Sequence, residues 1–119
     1  METPCHPTED REKVKRALLE LFPDLAFERE DEVVAGTAGT LDRLRELIRN
    51  QKIRDAARGQ LLSGRRGDVT RVRMSKQAAF VGRANFTSGG PLGDVVVEIE
   101  SDVLDGVIDD LAESTSGGT

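Results

Sequence analysis

The sequence is poor in several residue types on which function is often built. It holds one cysteine, one histidine and four phenylalanines, with no tryptophan and no tyrosine. A lone Cys5 excludes an internal disulfide and any zinc site made from a cysteine cluster. A lone His6, adjacent to Cys5 in the chain, leaves little for histidine-based nucleophilic chemistry, because chain neighbours do not readily face each other across a site. Metalloprotease, P-loop and nucleophile-elbow motifs are all missing. Neighbouring carboxylates such as Asp109 and Asp110 read as a solvated helix face rather than an acid–base pair. No apolar run approaches the ~20 residues of a membrane span, and Met1-Glu2-Thr3-Pro4 does not open like a signal peptide. The expectation is a cytoplasmic protein with no catalytic residues, no cofactor and no metal, remote from membranes.

A chain of 119 residues is long enough for one domain that buries about two-thirds of its unfolded surface. Residues 1–113 are expected to form that domain and residues 114–119 a disordered tail. Net charge is −5, yet the signs are segregated. Residues 1–42 carry 5 basic and 11 acidic side chains, residues 43–86 carry 12 and 3, and residues 87–119 carry 0 and 8. Three local acids cannot cancel a local excess of +9, so the central segment reads as a site for a polyanion. Arginine outnumbers lysine 13 to 4. The guanidinium fork suits phosphate because it donates two hydrogen bonds at once. An acid-rich, lysine-poor chain with 3% aromatics is what a salt-loving (halophilic) organism makes, and high-GC coding gives a similar arginine bias.

Val14, Ala17, Leu18, Leu21 and Phe22 recur at helical spacing and predict a helix capped by Thr8 and stopped by Pro23. Residues 26–35 read as one strand-like segment, residues 36–39 as a turn, and Thr40 as the cap of a second helix that buries Leu41, Leu44, Leu47 and Ile48. A third helix is expected over 53–62, with Ile53, Ala56, Ala57 and Leu61 inside, then a loop over 63–68. Residues 69–74 alternate as a strand, residues 79–86 form a second, and residues 94–100 a third, with Val95, Val97 and Ile99 inward. Ser101 or Asp102 caps a last helix whose apolar stripe is Val103, Leu104, Val107, Ile108 and Leu111. Consecutive strands with short connections argue for an antiparallel sheet packed against helices, so the class is α+β.

Arg45, Arg49 and Lys52 recur at i, i+4 and i+7, and Arg54 and Arg58 repeat the i, i+4 spacing. Arg65 and Arg66 sit in a glycine-flanked loop. Arg71 and Arg73 share a strand face that Arg83 joins from the neighbouring strand. These spacings predict one basic face. Against it, Asp42, Glu46, Asp55, Glu98 and Glu100 stand close enough in sequence to pair with many of the arginines. Three Gly-x-x-Gly strings begin at Gly36, Gly64 and Gly90, but none joins two helices as a KH domain requires. Phe80 and Phe86 share the face of Gly82 and Ala84; they read as stacking platforms for bases or, more plainly, as core.

Several strings resemble an archaeal family, uncharacterised protein family 0201. They are Pro7-Thr8-Glu9 with Lys13-Val14, Leu21-Phe22-Pro23, the run from Arg49 to Arg58, Ser75-Lys76-Gln77-Ala78-Ala79, Gly82 and Asn85-Phe86. The likeness runs from about residue 7 to 100. It implies a ribosomal-protein-like RNA-binding fold, similar to that of the five-S-RNA-binding ribosomal protein, and a place beside the archaeal exosome. Members open with a strand before the Pro-Thr-Glu string, whereas only Met1 to His6 precede it here. A shortened first strand would leave a neighbouring edge open for pairing, so a homodimer is expected.

The function expected on these grounds is that of a non-catalytic RNA-binding protein, an exosome-associated or ribosome-related accessory factor. Phosphate contacts would come from Arg49, Lys52, Arg54, Arg58, Arg65, Arg66, Arg71, Arg73, Lys76 and Arg83, and Gln77 would add hydrogen bonds to a base or a 2′-hydroxyl. Lys76 and Gln77 have an equal alternative: satisfying backbone groups in a turn between strands. Asp55 and Arg58 have one too, as an i, i+3 pair that fixes the third helix. The competing function is a protein-interaction subunit or homodimeric scaffold with no nucleic-acid contact. One open basic face favours RNA; dispersal of the arginines into pairs with the acidic ends favours the scaffold.

Overall fold

Two alternating segments lay down the centre of a sheet, and the rest of the chain adds to it. In the computed structural model, which describes residues 1–86 and 93–112, the elements run as follows. β1 is Glu2–Pro4, α1 Arg11–Leu21, β2 Ala26–Glu30, β3 Val33–Thr37, α2 Asp42–Asn50 and α3 Arg54–Ser63. β4 is Arg65–Arg66, β5 Val69–Ser75, α4 Lys76–Phe80, β6 Asp94–Glu100 and α5 Leu104–Leu111. The fold is α+β, with six strands in the order β2-β3-β1-β6-β5-β4, every neighbouring pair antiparallel. β5 and β6 pair over their full lengths, from Val69 opposite Glu100 to Ser75 opposite Asp94.

Period-2 alternation then decides the two faces. Thr70, Val72 and Met74 of β5 and Val95, Val97 and Ile99 of β6 are buried. They meet Leu18 and Leu21 of α1, Leu44 and Ile48 of α2, Ala57 and Leu61 of α3, and Leu104 and Ile108 of α5 in one core. Arg71, Arg73, Glu98 and Glu100 point the other way and are exposed. Among the described residues, no helix is long and apolar enough to cross a membrane.

The short first strand that the resemblance implies is β1: it lies inside the sheet between β3 and β6, pairing with β3 at three positions and with β6 only through Glu2 opposite Val96. Buried Thr3 donates from Oγ1 to the Asp94 carbonyl at 2.9 Å. Residues 26–35 are a hairpin rather than one strand, turned by Asp31, whose carboxylate accepts from the Val33 N–H and the Arg29 Nε–H. The 63–68 loop contains β4, joined to β5 by the two-residue turn Gly67-Asp68 with Gly67 at φ +62°. The strand expected over 79–86 is instead α4 and its exit. Ser75 caps that helix by accepting from the Ala78 N–H at 3.1 Å, Ala78 and Ala79 favour helix, and Gly82 at φ +70° ends it. Helix starts shift as well. α1 is capped by Asp10 rather than Thr8. The Thr40 and Ser101 hydroxyls accept from the Asp42 and Val103 N–H groups just ahead of α2 and α5. Ala56 and Val103 are exposed rather than core. The Gly90 string and residues 114–119 lie outside the described residues, apart from Gly93.

Candidate nucleic-acid interface

The site is built around the corner between α2 and α3, where Arg49 and Lys52 stand without an ion pair among the described residues. Helix α2 ends in a Schellman motif: the Ile53 N–H bonds the Ile48 carbonyl at 3.1 Å, and the Lys52 N–H bonds the Arg49 carbonyl at 3.2 Å. That motif needs a left-handed residue at its turn, a position usually given to glycine. Here Lys52 holds it at φ +58° and is the one non-glycine residue with positive φ among those described. The chain builds the same motif at the end of α4, with Arg83 N–H to Ala78 and Gly82 N–H to Ala79, and there glycine fills the turn. Arg49, Lys52, Arg54 and Asp55 line an open depression of about 540 Å³ at the α2–α3 corner.

Gln51 fixes this corner to the rest of the molecule. Its Nε2 donates to the Ala84 carbonyl at 2.8 Å, and its Oε1 accepts from the Ala84 N–H at 2.9 Å. A side-chain amide thus pairs with a backbone as a strand would. The clamp brings the segment carrying Arg83 against the segment carrying Lys52. Sequence reasoning assigned Gln51 no role; its place within the run from Arg49 to Arg58 was the one available signal.

The basic residues of 43–86 do not make a single face. Arg71 and Arg73 alternate with buried Thr70, Val72 and Met74 and so face away from the core on which the helices pack. Many also have partners. Arg45 bonds Asp110 at 3.0 Å, Arg58 bonds Asp109 at 2.7 Å, and Arg65 pairs with Asp105, so acidic α5 answers three arginines that the sequence left open. Arg58 therefore pairs across the fold rather than with Asp55. Arg43 bonds Glu46 at 2.8 Å, and Arg73 lies 3.7 Å from Asp94. Arg49, Lys52, Arg71 and Arg83 make no ion pair among the described residues, and Arg66 bonds only the Arg65 carbonyl. Arg71 faces Glu98 across β5 and β6 without reaching it.

Lys76 leaves the set of candidate RNA contacts. It is 1% exposed, and its ammonium donates to the Pro4 carbonyl and to both oxygens of Glu9, at 2.8 and 3.0 Å. It ties β1, the approach to α1 and α4 together. Burial alone would push the Glu9 carboxyl up; the Lys76 hydrogen bond and charge, with the His6 N–H and charge, outweigh it and hold Glu9 below the usual glutamate range. Gln77 is exposed on α4 and makes no hydrogen bond among the described residues. Phe80 and Phe86 do not share a strand face: Phe80 ends α4 and is 38% exposed, while Phe86 is 9% exposed. Phe86 lines an open cleft of about 510 Å³ with Gln60, Ser63, Arg71 and Arg73. Among the described residues, no group of three or more His, Cys, Asp or Glu is arranged to hold a metal.

The geometry is that of a small α+β protein with helices on one face of an antiparallel sheet, the other face uncovered among the described residues, and a cationic corner in its helical layer. A family model described as RNA binding matches residues 1–103. A UPF0201 protein of Methanothermobacter thermautotrophicus is 43% identical over 120 residues, covering 98% of this chain and 91% of that one. The chain belongs to the UPF0201 family, an archaeal family. The crystal structure of a UPF0201 protein from Methanococcus jannaschii superposes with a TM-score of 0.88 at 36% identity, over 99% of this chain and 94% of that one. A second UPF0201 crystal structure gives 0.89 at 37% identity, over 96% and 91%.

Proposed function

We propose that this protein binds RNA without catalysing a reaction on it, gripping phosphates through those cations of residues 43–86 that no acid neutralises. One observation carries the reading: Arg49, Lys52, Arg66, Arg71 and Arg83 remain without an ion pair among the described residues of a chain that holds 22 acids. The match to an RNA-binding family model supports it. Arg54 lies beside Arg49 and Lys52 and joins their contact. Arg58, Arg65 and Arg73 join when a phosphate outcompetes their partners, since such surface pairs are worth only about 0–1 kcal/mol. Gln77, exposed on α4, adds hydrogen bonds to a base or a 2′-hydroxyl. The protein serves as a cytoplasmic accessory factor of an RNA-handling machine, exosome or ribosome; that finer role rests on the sequence resemblance alone.

The test is binding of a labelled single-stranded RNA across a salt series. Neutralising about five phosphates gives a slope of log K against log salt near −3.5. Failure to bind at low salt refutes the reading. A second reading, a homodimeric or hetero-complex scaffold, is favoured by the uncovered sheet face, where Arg71 and Arg73 stand beside Glu98 and Glu100 in a mixed, self-complementary charge pattern. Sedimentation over a range of concentrations reads it directly; a constant monomer mass removes the homodimer.

A further inference from the structure

The left-handed lysine at the end of α2 is costly, and no side-chain contact among the described residues accounts for it. Left-handed backbone disfavours any side chain with a Cβ, and strained non-glycine residues persist where the surroundings hold them, commonly at binding sites. The same chain ends α4 with glycine in the equivalent turn, so glycine is compatible with this motif in this protein. Lys52 is exposed and has no carboxylate partner among the described residues, so it is not retained for an internal ion pair. Arg49, Arg54 and Asp55 share its depression, and the Gln51 clamp on Ala84 sets the Arg83 segment alongside. The Gln51 clamp also ties the corner to the Ala84 backbone at two points.

We infer that Lys52 is the residue that fixes an RNA phosphate at this corner, and that lysine rather than glycine stands in the left-handed position for that contact. The inference rests on the RNA-binding reading and goes further by naming the anchoring point and the residue that sets it. A phosphodiester oxygen matches the site because it offers a compact anion with several acceptor sites to converging donors. The strain at Lys52 and the contact it makes act in opposite directions on folding and on binding, so one substitution separates them.

The experiment compares the wild type with Lys52→Gly and Lys52→Arg. A labelled oligouridylate is titrated from low to high potassium chloride, and the melting temperature of each protein is measured. Lys52→Gly is expected to melt at or above the wild-type temperature while the salt slope becomes shallower by about 0.7–1, the share of one phosphate. Lys52→Arg is expected to restore the slope. If the wild type binds the oligouridylate and Lys52→Gly binds with an unchanged slope, the anchor is refuted and the RNA reading stands. If Lys52→Gly melts well below the wild type, lysine serves the fold and the inference is equally refuted. If the wild type itself fails to bind, the RNA reading falls and takes the anchor with it.

Discussion

Breaking the buried pair between Lys76 and Glu9 tests whether this lysine serves the fold rather than a ligand. Lys76→Met keeps the apolar stem and removes the ammonium. The Glu9 side chain is only 7% exposed, so its carboxylate would stay largely out of water with the His6 N–H, 3.0 Å away, as its remaining donor. The Pro4 carbonyl would lose its Lys76 donor at the same time. Removing one partner of a buried pair costs about 3–5 kcal/mol, a large share of the about 5–15 kcal/mol that holds a domain folded. At about 4 °C per kcal/mol the melting temperature should drop by roughly 12–20 °C. Adding Glu9→Gln removes the stranded charge, so the double variant should be more stable than the sum of the two single losses implies. The dependence on pH follows from the lowered pKa of Glu9. A carboxyl lowered by folding stabilises fully above the unfolded glutamate range, near about 4.3, and that stabilisation is lost as pH falls through the lower folded value. The gap between wild type and Glu9→Gln should therefore be widest near neutrality and close in acid. Urea melts at several pH values measure all of this. A Lys76→Met variant within about 0.5 kcal/mol of wild type, with an unchanged m-value, would refute the reasoning.

Three further outcomes are expected. Gly64→Ala places a Cβ 2.0 Å from the Arg71 carbonyl oxygen and should destabilise by about 3 kcal/mol, read by urea melts. Gln51→Ala removes both bonds to the Ala84 backbone and should cost about 1–3 kcal/mol; its RNA affinity should fall further than that of an equally destabilised core variant, because the Arg83 segment is released. Replacing Asp105, Asp109 and Asp110 with Asn frees Arg65, Arg58 and Arg45; stability should change by less than about 1 kcal/mol per pair, while RNA affinity measured by the same titration should rise.

The helical stripes and the alternation of residues 94–100 were legible because they are local. A period of 3.6 or 2 in apolar residues is a property of consecutive positions, and it located α1, α2, α3, β5, β6 and α5. The α+β class followed from their order. Where local signals conflicted, the reading failed. Val81, Gly82 and Ala84 look like strand, but the Ser75 cap and the left-handed Gly82 made a helix and its exit. β1, three residues ending in proline, carries no period and was expected only from the family resemblance; it is held by Thr3 and by the Pro4 carbonyl's bond to Lys76.

The sequence by itself determined that positive charge is concentrated in residues 43–86, since charge is a matter of composition and no fold can change it. Only the tertiary structure decided which of those charges remain available. Ion pairing acts over a few ångströms, and the distances that matter join residues 40 to 65 positions apart, as in Arg65 to Asp105 and Arg45 to Asp110. Packing α5 against α2 and α3 answered three arginines, burial beside Glu9 took Lys76, and strand alternation turned Arg71 and Arg73 away from the core. The corner at Lys52 is what that packing left open.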